Sequence, residues 1–172
     1  LKTVEISFKN PQLKKRVSEA VEEAKILCEG VCLARSLGNE PPNVLYPESY
    51  AARIKKVALA SGLKCTVFDE KRLKAEGMNA ILAVGKGSAN PPRLIMLEYK
   101  GGKEGEKPLA FVGKGVTFDS GGLNIKTGDS MEDMHLDMSG GAAVITAIGA
   151  IAKLKLPVNV VGLVPAAENM PS

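Results

Sequence analysis

The apolar residues change their spacing near Gly62, and this change limits the chain to folds that combine helices with a sheet. Before that point, apolar side chains recur at helical intervals after the cap-like pair Asn10-Pro11, which predicts a long helix to about Leu37. A loop rich in helix breakers, Gly38 to Pro47, separates this helix from a second one. The first third of the chain is therefore predicted to be helical.

After the change, short apolar runs alternate with helical patterns. The predicted strands are Lys64 to Phe68, Ala80 to Val84, Arg93 to Tyr99, Leu109 to Val112 and Val158 to Val164. Helices are predicted around Lys71 to Glu76 and from about Gly141 to Leu154. This order predicts an α/β fold with a mixed, mostly parallel sheet and helices on both faces. The short stretch Gly101 to Lys107 is expected to be a hairpin turn that reverses the chain.

Length and charge exclude several classes of protein. A chain of 172 residues with 45% apolar content is long enough to bury its own core. Its longest uncharged stretch, Met138 to Ala152, is shorter than the roughly 20 residues that span a bilayer, so we expect no membrane helix. The 23 basic and 19 acidic residues give a net charge of +4 and are spread along the chain. This distribution argues against a nucleic-acid surface.

The three cysteines and the first residues bear on location. Cys28 and Cys32 lie four apart in a predicted helix, where disulfide geometry is rare, and Cys65 completes an odd set. Reduced thiols are therefore expected. The opening sequence LKTVEISF alternates and carries charge, unlike a secretory leader. These features predict a cytoplasmic protein.

The segment from Val112 to Gly141 carries the chemistry-bearing residues. It begins where a predicted strand ends, which is where open α/β sheets bind ligands. It lacks the spacing of the common phosphate-binding loops, because position 108 is Pro and not Gly. It holds five carboxylates, namely Asp119, Asp129, Glu132, Asp133 and Asp137. Oxygen ligands suit divalent cations, so the segment is a metal-site candidate, but solvated acids and an Asp119 side chain bonded to its own turn fit the spacing equally.

Three stretches of sequence together resemble one family. They are VGKGVTFDSGGLNIK at Val112 to Lys126, MEDMHLDMSGGAAV at Met131 to Val144, and AAENMPS at Ala166 to Ser172. In this order they resemble the leucine aminopeptidases, also called cytosol aminopeptidases, and the similarity extends upstream to about Ala34. The resemblance implies a two-metal peptidase that uses Zn²⁺ or Mn²⁺ ions and acts on peptides with a free N-terminus. It also implies a homo-oligomer, which is a hexamer in this family.

The resemblance assigns expected roles to individual residues. Lys114, Asp119 and Asp137 match metal ligands, and Lys126 matches the catalytic lysine. Met134 matches a methionine near the pocket for the first side chain, although ordinary core packing would also account for it. The same five positions are the expected substrate contacts. The only histidine, His135, lies off the ligand positions and is expected to be at the surface or hydrogen-bonded.

The family's chemistry explains these residue types. Two cations can ionise a bridging water and polarise the scissile carbonyl, while the peptide's free amino group binds one of them. A lysine can coordinate a cation only as the neutral amine, which is the form implied for Lys114. The ammonium of Lys126 would stabilise the developing oxyanion. Glycines such as Gly121 and Gly140 would permit close backbone approach.

The resemblance also implies that part of the site is missing. The family's second motif, similar to NTDAEGRL, does not occur in these 172 residues. We expect residues 1–37 to be a strand remnant and an interdomain helix, and residues 38–172 to be the first half of the catalytic domain, truncated before that motif. Such a fragment is expected to be inactive. The alternative is a non-catalytic binding or assembly module, for nucleic acid among other partners, and a dinucleotide-binding domain is disfavoured by the missing glycine motif.

Overall fold

The computed structural model describes residues 3–171, which contain five α-helices and five strands. In chain order they are α1 (Lys14–Gly38), α2 (Pro47–Ala60), β1 (Lys64–Phe68), α3 (Glu70–Ala75), α4 (Asn79–Gly85), β2 (Arg93–Lys100), β3 (Leu109–Val112), β4 (Gly115–Asp119), α5 (Ser139–Lys153) and β5 (Asn159–Asn169). Short 3-10 turns occupy Pro11–Leu13, Gly128–Ser130 and Met134–Met138. Before α1, the Asn10 side chain accepts a hydrogen bond from the Gln12 amide at 3.0 Å, which confirms the predicted cap.

The strands form one mixed sheet, as expected, in the order β1-β2-β5-β3. Two pairs, β1 with β2 and β2 with β5, are antiparallel. The other two pairs, β3 with β5 and β4 with β5, are parallel. Strands β3 and β4 lie one after the other along the same side of β5. Parallel and antiparallel pairs are equal in number, but four of the five strands, all except β2, run in the same direction. The sheet is therefore mixed and mostly parallel in strand direction, as the sequence predicted.

The stretch between β2 and β3 is not a hairpin turn. β3 does run opposite to β2, but β5 lies between them and pairs with both. The connection crosses the start of β5, where Asn159 holds it: Gly102 N donates to Asn159 Oδ1 at 3.1 Å, and Asn159 Nδ2 donates to the carbonyls of Lys103 and Glu106. Strand β5 begins 50 residues after the start of β3 and lies between β2 and β3. The sequence between β2 and β3 does not indicate this insertion.

Helices cover both faces of the sheet. On one face α5 packs so closely that a Cβ at Gly162 would lie 2.2 Å from Ile148. This face holds the core, whose largest fully buried side chains include Leu37, Tyr50, Ile54, Ile95, Leu97, Ile145, Ile148, Val160 and Val164. Since neighbouring residues of a strand point to opposite faces, Pro165 and Ala167 face the other way, toward Ile81 of α4. The sheet is therefore the central layer, as the sequence predicted.

Three predicted elements differ from the structure. Residues 80–84 lie in helix α4 and not in a strand, because a run of five apolar residues cannot distinguish the two periods and Ala-Ile-Leu-Ala favours a helix. Strand β4 was predicted as loop, since glycine and aspartate bound it. The expected strand over residues 1–8 is absent from residues 3–8, which form no regular element, while residues 1 and 2 lie outside the described part.

One apolar segment, Gly128–Lys153, is long and hydrophobic enough to span a membrane by length and composition. Only its second part, α5, is a continuous helix, and the residues of α5 that face the sheet are buried in the core. The core helix of a globular protein meets the same criteria of length and composition.

Candidate active site

The candidate site lies where the β3-β4 junction meets the start of α5. Strand β3 ends at Val112, Gly113 and Lys114 interrupt the pairing, and β4 continues along β5. The Gly141 amide of α5 donates to the Lys114 carbonyl at 2.7 Å. Glycine makes this approach possible, because a Cβ at Gly113 would lie 2.4 Å from the Gly140 carbonyl oxygen. The junction and the helix are thus in backbone contact.

This contact brings Lys114 and Asp137 together. Asp137 lies in the 3-10 turn just before α5, and its Oδ2 atom is 2.6 Å from Lys114 Nζ. The Asp137 side chain is 21% exposed and that of Lys114 is 58% exposed. Oδ2 itself is buried, and among residues 3–171 it has no hydrogen bond of good geometry. Lys114 is therefore the close partner of this oxygen by charge, although the pair does not have hydrogen-bond geometry.

Asp119 occupies the carboxyl end of β4. Its Oδ1 atom accepts hydrogen bonds from Asn169 Nδ2 at 2.6 Å and from the Gly121 amide at 3.0 Å. Its Oδ2 atom lies 3.5 Å from Lys126 Nζ. Partial burial opposes ionisation, but these two hydrogen bonds and the charges of Lys126 and Lys114 outweigh it and hold the pKa of Asp119 below its usual value. Because both lysines act on one carboxyl group, the four charged side chains share one electrostatic site.

The turn after β4 returns Lys126 to this site. Gly121 and Gly122 both adopt positive φ angles, +90° and +62°, and the Lys126 amide donates to the Ser120 carbonyl at 2.8 Å. The Lys126 side chain is 31% exposed, less than most lysines. Its ammonium lies 3.5 Å from Asp119 Oδ2, and this single ion pair leaves N–H donors open to other acceptors. The predicted aspartate turn exists, and Asp119 bonds the Gly121 amide of that turn as well as its partner from β5.

The remaining predicted residues lie near the site without joining the charged cluster. Met134 begins the 3-10 turn that carries Asp137 and is half-buried, as is His135 beside it. The three other acidic residues of the segment are exposed; they are Asp129, Glu132 and Asp133. The acidic segment therefore divides into two positioned carboxylates and three solvated ones. Three of the five acids thus match the solvated alternative, and the Asp119 side chain also bonds the Gly121 amide of its own turn.

The donor set fits a divalent cation in part. Two carboxylates converge with Lys114, whose neutral amine would donate nitrogen, and oxygen and nitrogen donors are those that Zn²⁺ and Mn²⁺ accept. The buried and poorly satisfied Oδ2 atom of Asp137 is the type of atom that a cation would complete. In the described part of the chain, however, no three residues of the types His, Cys, Asp and Glu converge as a metal site. Taken alone, these residues could supply only part of a coordination sphere.

A second polar cluster beside the site was not predicted. Glu168 is 9% exposed, although it lies in the apolar strand β5. Its Oε2 atom accepts hydrogen bonds from the Ser88 hydroxyl and from Asn90 Nδ2, the latter at 3.1 Å. These bonds fasten the loop after α4 to the carboxyl end of β5. A lone acid within an apolar strand was the available signal for this cluster.

Comparison with known proteins identifies a family. The family described as "cytosol aminopeptidase family, catalytic domain" matches residues 32–172. A probable cytosol aminopeptidase of Syntrophotalea carbinolica is 52% identical over 172 residues, which are 100% of this chain and 35% of that protein. A probable cytosol aminopeptidase of Azotobacter vinelandii is 50% identical over 157 residues, 91% of this chain and 32% of the relative. The chain thus spans about a third of the length of the curated relatives it matches.

Solved structures of similar fold lead to the same family. The bottromycin maturation enzyme BotP in complex with Mn superposes with a TM-score of 0.84 at 41% identity, covering 95% of this chain and 34% of BotP. The apo leucyl aminopeptidase from Trypanosoma cruzi superposes with a TM-score of 0.83 at 32% identity, covering 88% of this chain and 30% of that enzyme. The mixed α/β fold and the sequence comparison agree.

Proposed function

The chain belongs to the cytosol aminopeptidase family, and from this premise we propose that it supplies part of the active site of a metal-dependent aminopeptidase. The reaction is the release of N-terminal amino acids, with leucine preferred, from peptides by a water molecule that two divalent ions activate. The observation that carries the proposal is the meeting of Lys114 with Asp137 and of Lys126 with Asp119 at one end of the sheet. These are the four positions that the family's motifs assign to metal binding and catalysis.

We propose Lys114, Asp119 and Asp137 as metal ligands. Divalent ions held there would supply Lewis-acid polarisation of the scissile carbonyl and an ionised water as nucleophile. The Mn in the BotP complex supports this choice of ion class. The pKa of Asp119 is held below its usual value, so its carboxylate stays ionised further into the acidic range than that of an ordinary aspartate. We propose that further ligands come from outside the described residues, since two carboxylates and one lysine leave two ions short of the four ligands that zinc usually takes.

We propose Lys126 as the catalytic lysine. Its ammonium lies 3.5 Å from Asp119 Oδ2, a distance that leaves it free to donate to a substrate oxygen. In the reaction it would stabilise the negative charge that develops on the carbonyl oxygen as water attacks. Asp137 would receive the substrate's α-amino group, and Met134 would contact the first side chain. The half-buried position of Met134 supports that assignment, since an apolar contact needs only one exposed edge.

The place of these residues within a complete catalytic domain is also a proposal. We assign residues 38–172 to the first half of the catalytic domain and α1 to an interdomain helix, with the remaining ligands in a downstream motif similar to NTDAEGRL. Reading the gene beyond the codon for Ser172 tests this directly, and absence of such a motif would contradict it. The resemblance further supports a cytoplasmic homo-oligomer with six copies as in the family. Sedimentation of the purified protein measures the copy number.

Turnover of leucine p-nitroanilide with Zn²⁺ or Mn²⁺ tests the function. The protein as encoded by its gene should release p-nitroaniline, whereas residues 1–172 alone should not, because their ligand set is partial. Substituting Lys126→Ala should lower kcat by about 10²–10³-fold, the usual loss when one oxyanion donor is removed. Lys74→Ala is the matched control, since Lys74 pairs with Glu70 on the surface of α3. Retained activity in the Lys126 variant would remove its catalytic role, and no turnover of any amino-acid p-nitroanilide would favour a binding module.

A further inference from the structure

Asn169 lies directly opposite Asp119 at the carboxyl end of the sheet. The two residues are register partners in the parallel pair of β4 with β5. Asn169 is separated from Asp119 by 50 positions in sequence, and it belongs to the AAENMPS motif rather than to the acidic segment. Its side chain is the one partner that β5 contributes to the four charged groups of the site.

The backbone of Asn169 is fixed by its neighbours. The Ser120 amide and the Ser120 hydroxyl both donate to the Asn169 carbonyl oxygen, at 2.9 and 2.8 Å. The amide group of its side chain packs against Gly122, where a Cβ would lie 2.6 Å from Asn169 Oδ1. Gly122 has a φ of +62°, so both its backbone angle and its lack of a side chain suit this contact. The Asn169 backbone is therefore fixed by contacts that do not involve Asp119, and Gly122 leaves room for the side-chain amide beside it.

The side-chain amide of Asn169 binds one of the two carboxylate oxygens of Asp119 and not the other. Asn169 Nδ2 donates to Oδ1 at 2.6 Å, and Gly121 N donates to the same atom at 3.0 Å. Oδ2 receives neither bond and lies on the Lys126 side. We propose that Asn169 is a positioning residue that binds Oδ1 of Asp119 and so presents Oδ2 to a divalent cation. The inference rests on the proposed function, since it concerns one of the proposed metal ligands.

The chemistry of asparagine suits this task. A neutral amide can hold a carboxylate in one orientation without cancelling the charge that attracts the cation. A lysine in its place would compete with the cation, and an aspartate would repel Asp119. Carboxylates that bind metals are commonly hydrogen-bonded in this way, and loss of such a partner typically weakens metal binding by about 10–100-fold.

If the Asn169 side chain served only to stabilise the fold, removing it would lower the unfolding free energy without a separate effect on metal binding. The ends of β4 and β5 are already joined by the two bonds from Ser120. The Asn169 side chain adds nothing to that backbone pairing. Removing it should therefore change Asp119 and metal binding more than it changes the fold.

Asn169→Leu tests the proposal, because leucine has nearly the same size and no donor. Asn159→Leu is the matched control: it is the same substitution at the opposite end of β5, where it removes three hydrogen bonds remote from the site. In the protein as encoded by its gene, Mn²⁺ affinity is measured from the electron paramagnetic resonance signal of free Mn²⁺. Asn169→Leu should weaken the affinity by about 10–100-fold. Asn159→Leu should leave it unchanged even where it lowers the thermal unfolding temperature.

A second readout does not depend on metal. In crystals of the metal-free Asn169→Leu protein, the Asp119 carboxylate should rotate away from its original orientation. Asn169→Ala replaces the leucine variant if that variant does not fold. Unchanged Mn²⁺ affinity, an equal loss in the Asn159 control, or an unrotated Asp119 would each overturn the proposal. Failure of the unsubstituted protein to bind Mn²⁺ would instead contradict the proposed function, and the orientation of Asp119 would still decide the positioning role.

Discussion

Replacing Gly113 by alanine should separate the two halves of the candidate site. The added Cβ would lie 2.4 Å from the Gly140 carbonyl oxygen and 2.8 Å from Gly141 Cα. Both are backbone atoms at the start of α5, so no side chain can rotate out of the way. The helix must recede by about 0.6 Å to reach the 3.0 Å below which real Cβ contacts are essentially never found. That movement also stretches the bond from the Gly141 amide to the Lys114 carbonyl.

Three contributions determine how much unfolding free energy the Gly113→Ala variant should lose. Overpacking costs about 1–3 kcal/mol and a weakened hydrogen bond about 1 kcal/mol. Replacing glycine returns about 0.4–1 kcal/mol by restricting the unfolded chain, because Gly113 does not need a positive φ. The Gly113→Ala variant should therefore lose about 1–3 kcal/mol of unfolding free energy. Because Asp137 precedes α5, its distance from Lys114 should increase as well.

Urea unfolding followed by far-ultraviolet circular dichroism measures this loss. Gly149→Ala is the control, because it lies in the same helix and its added Cβ would be 3.6 Å from the nearest atom, Ser61 Oγ. A glycine in a helix interior is less stable than alanine by about 0.5–1 kcal/mol, so this variant should gain stability. Opposite signs for the two variants support the close approach at Gly113. Equal signs, or a Gly113 variant as stable as the original, would refute the reasoning.

Two further predictions concern titration and an unsatisfied hydroxyl. The folded-state pKa of Asp119 lies below its ordinary value of 3.8, so the stability it contributes is present at neutral pH and is lost as pH falls through the folded-state pKa. In metal-free protein, titration followed by the carboxyl ¹³C signal should give a midpoint below 3.8, and this midpoint should rise in Asn169→Leu. An unmoved midpoint would contradict the hydrogen bond from Asn169 to Asp119. Tyr50 is fully buried, and its hydroxyl has no hydrogen-bond partner among residues 3–171, so burial raises its pKa. Tyr50→Phe should leave urea stability unchanged or raise it by about 1 kcal/mol, whereas a loss of that size would indicate a partner for the hydroxyl.

The long helices were predictable because their pattern repeats over several turns. Helix α1 runs from Lys14 to Gly38 close to the predicted bounds, and α5 begins within two residues of its prediction. Short elements were less certain, because five apolar residues fit a strand and a helix alike. Helix α4 is the example, since the period of its five apolar residues did not distinguish the helix that the structure shows from a strand.

The site was predictable in its residue types but not in its pairing. The motifs named Lys114, Asp119, Lys126 and Asp137, and the structure brings all four together. The contact of Asp119 with Asn169 depends on the register of β4 against β5, which a local pattern does not encode. The strand order is likewise a tertiary property: β5, the last strand, lies between β2 and β3, so no hairpin forms between them.

Anomalous diffraction from manganese is the most direct test of the central claim that Lys114, Asp119 and Asp137 bind metal. Crystals of the protein as encoded by its gene would be grown with Mn²⁺ and measured near the manganese absorption edge. The account predicts anomalous peaks within about 2–2.5 Å of Lys114 Nζ and of oxygens of Asp119 and Asp137, the range of metal–ligand bonds. Manganese bound only at other carboxylates, with these three side chains unchanged, would contradict it.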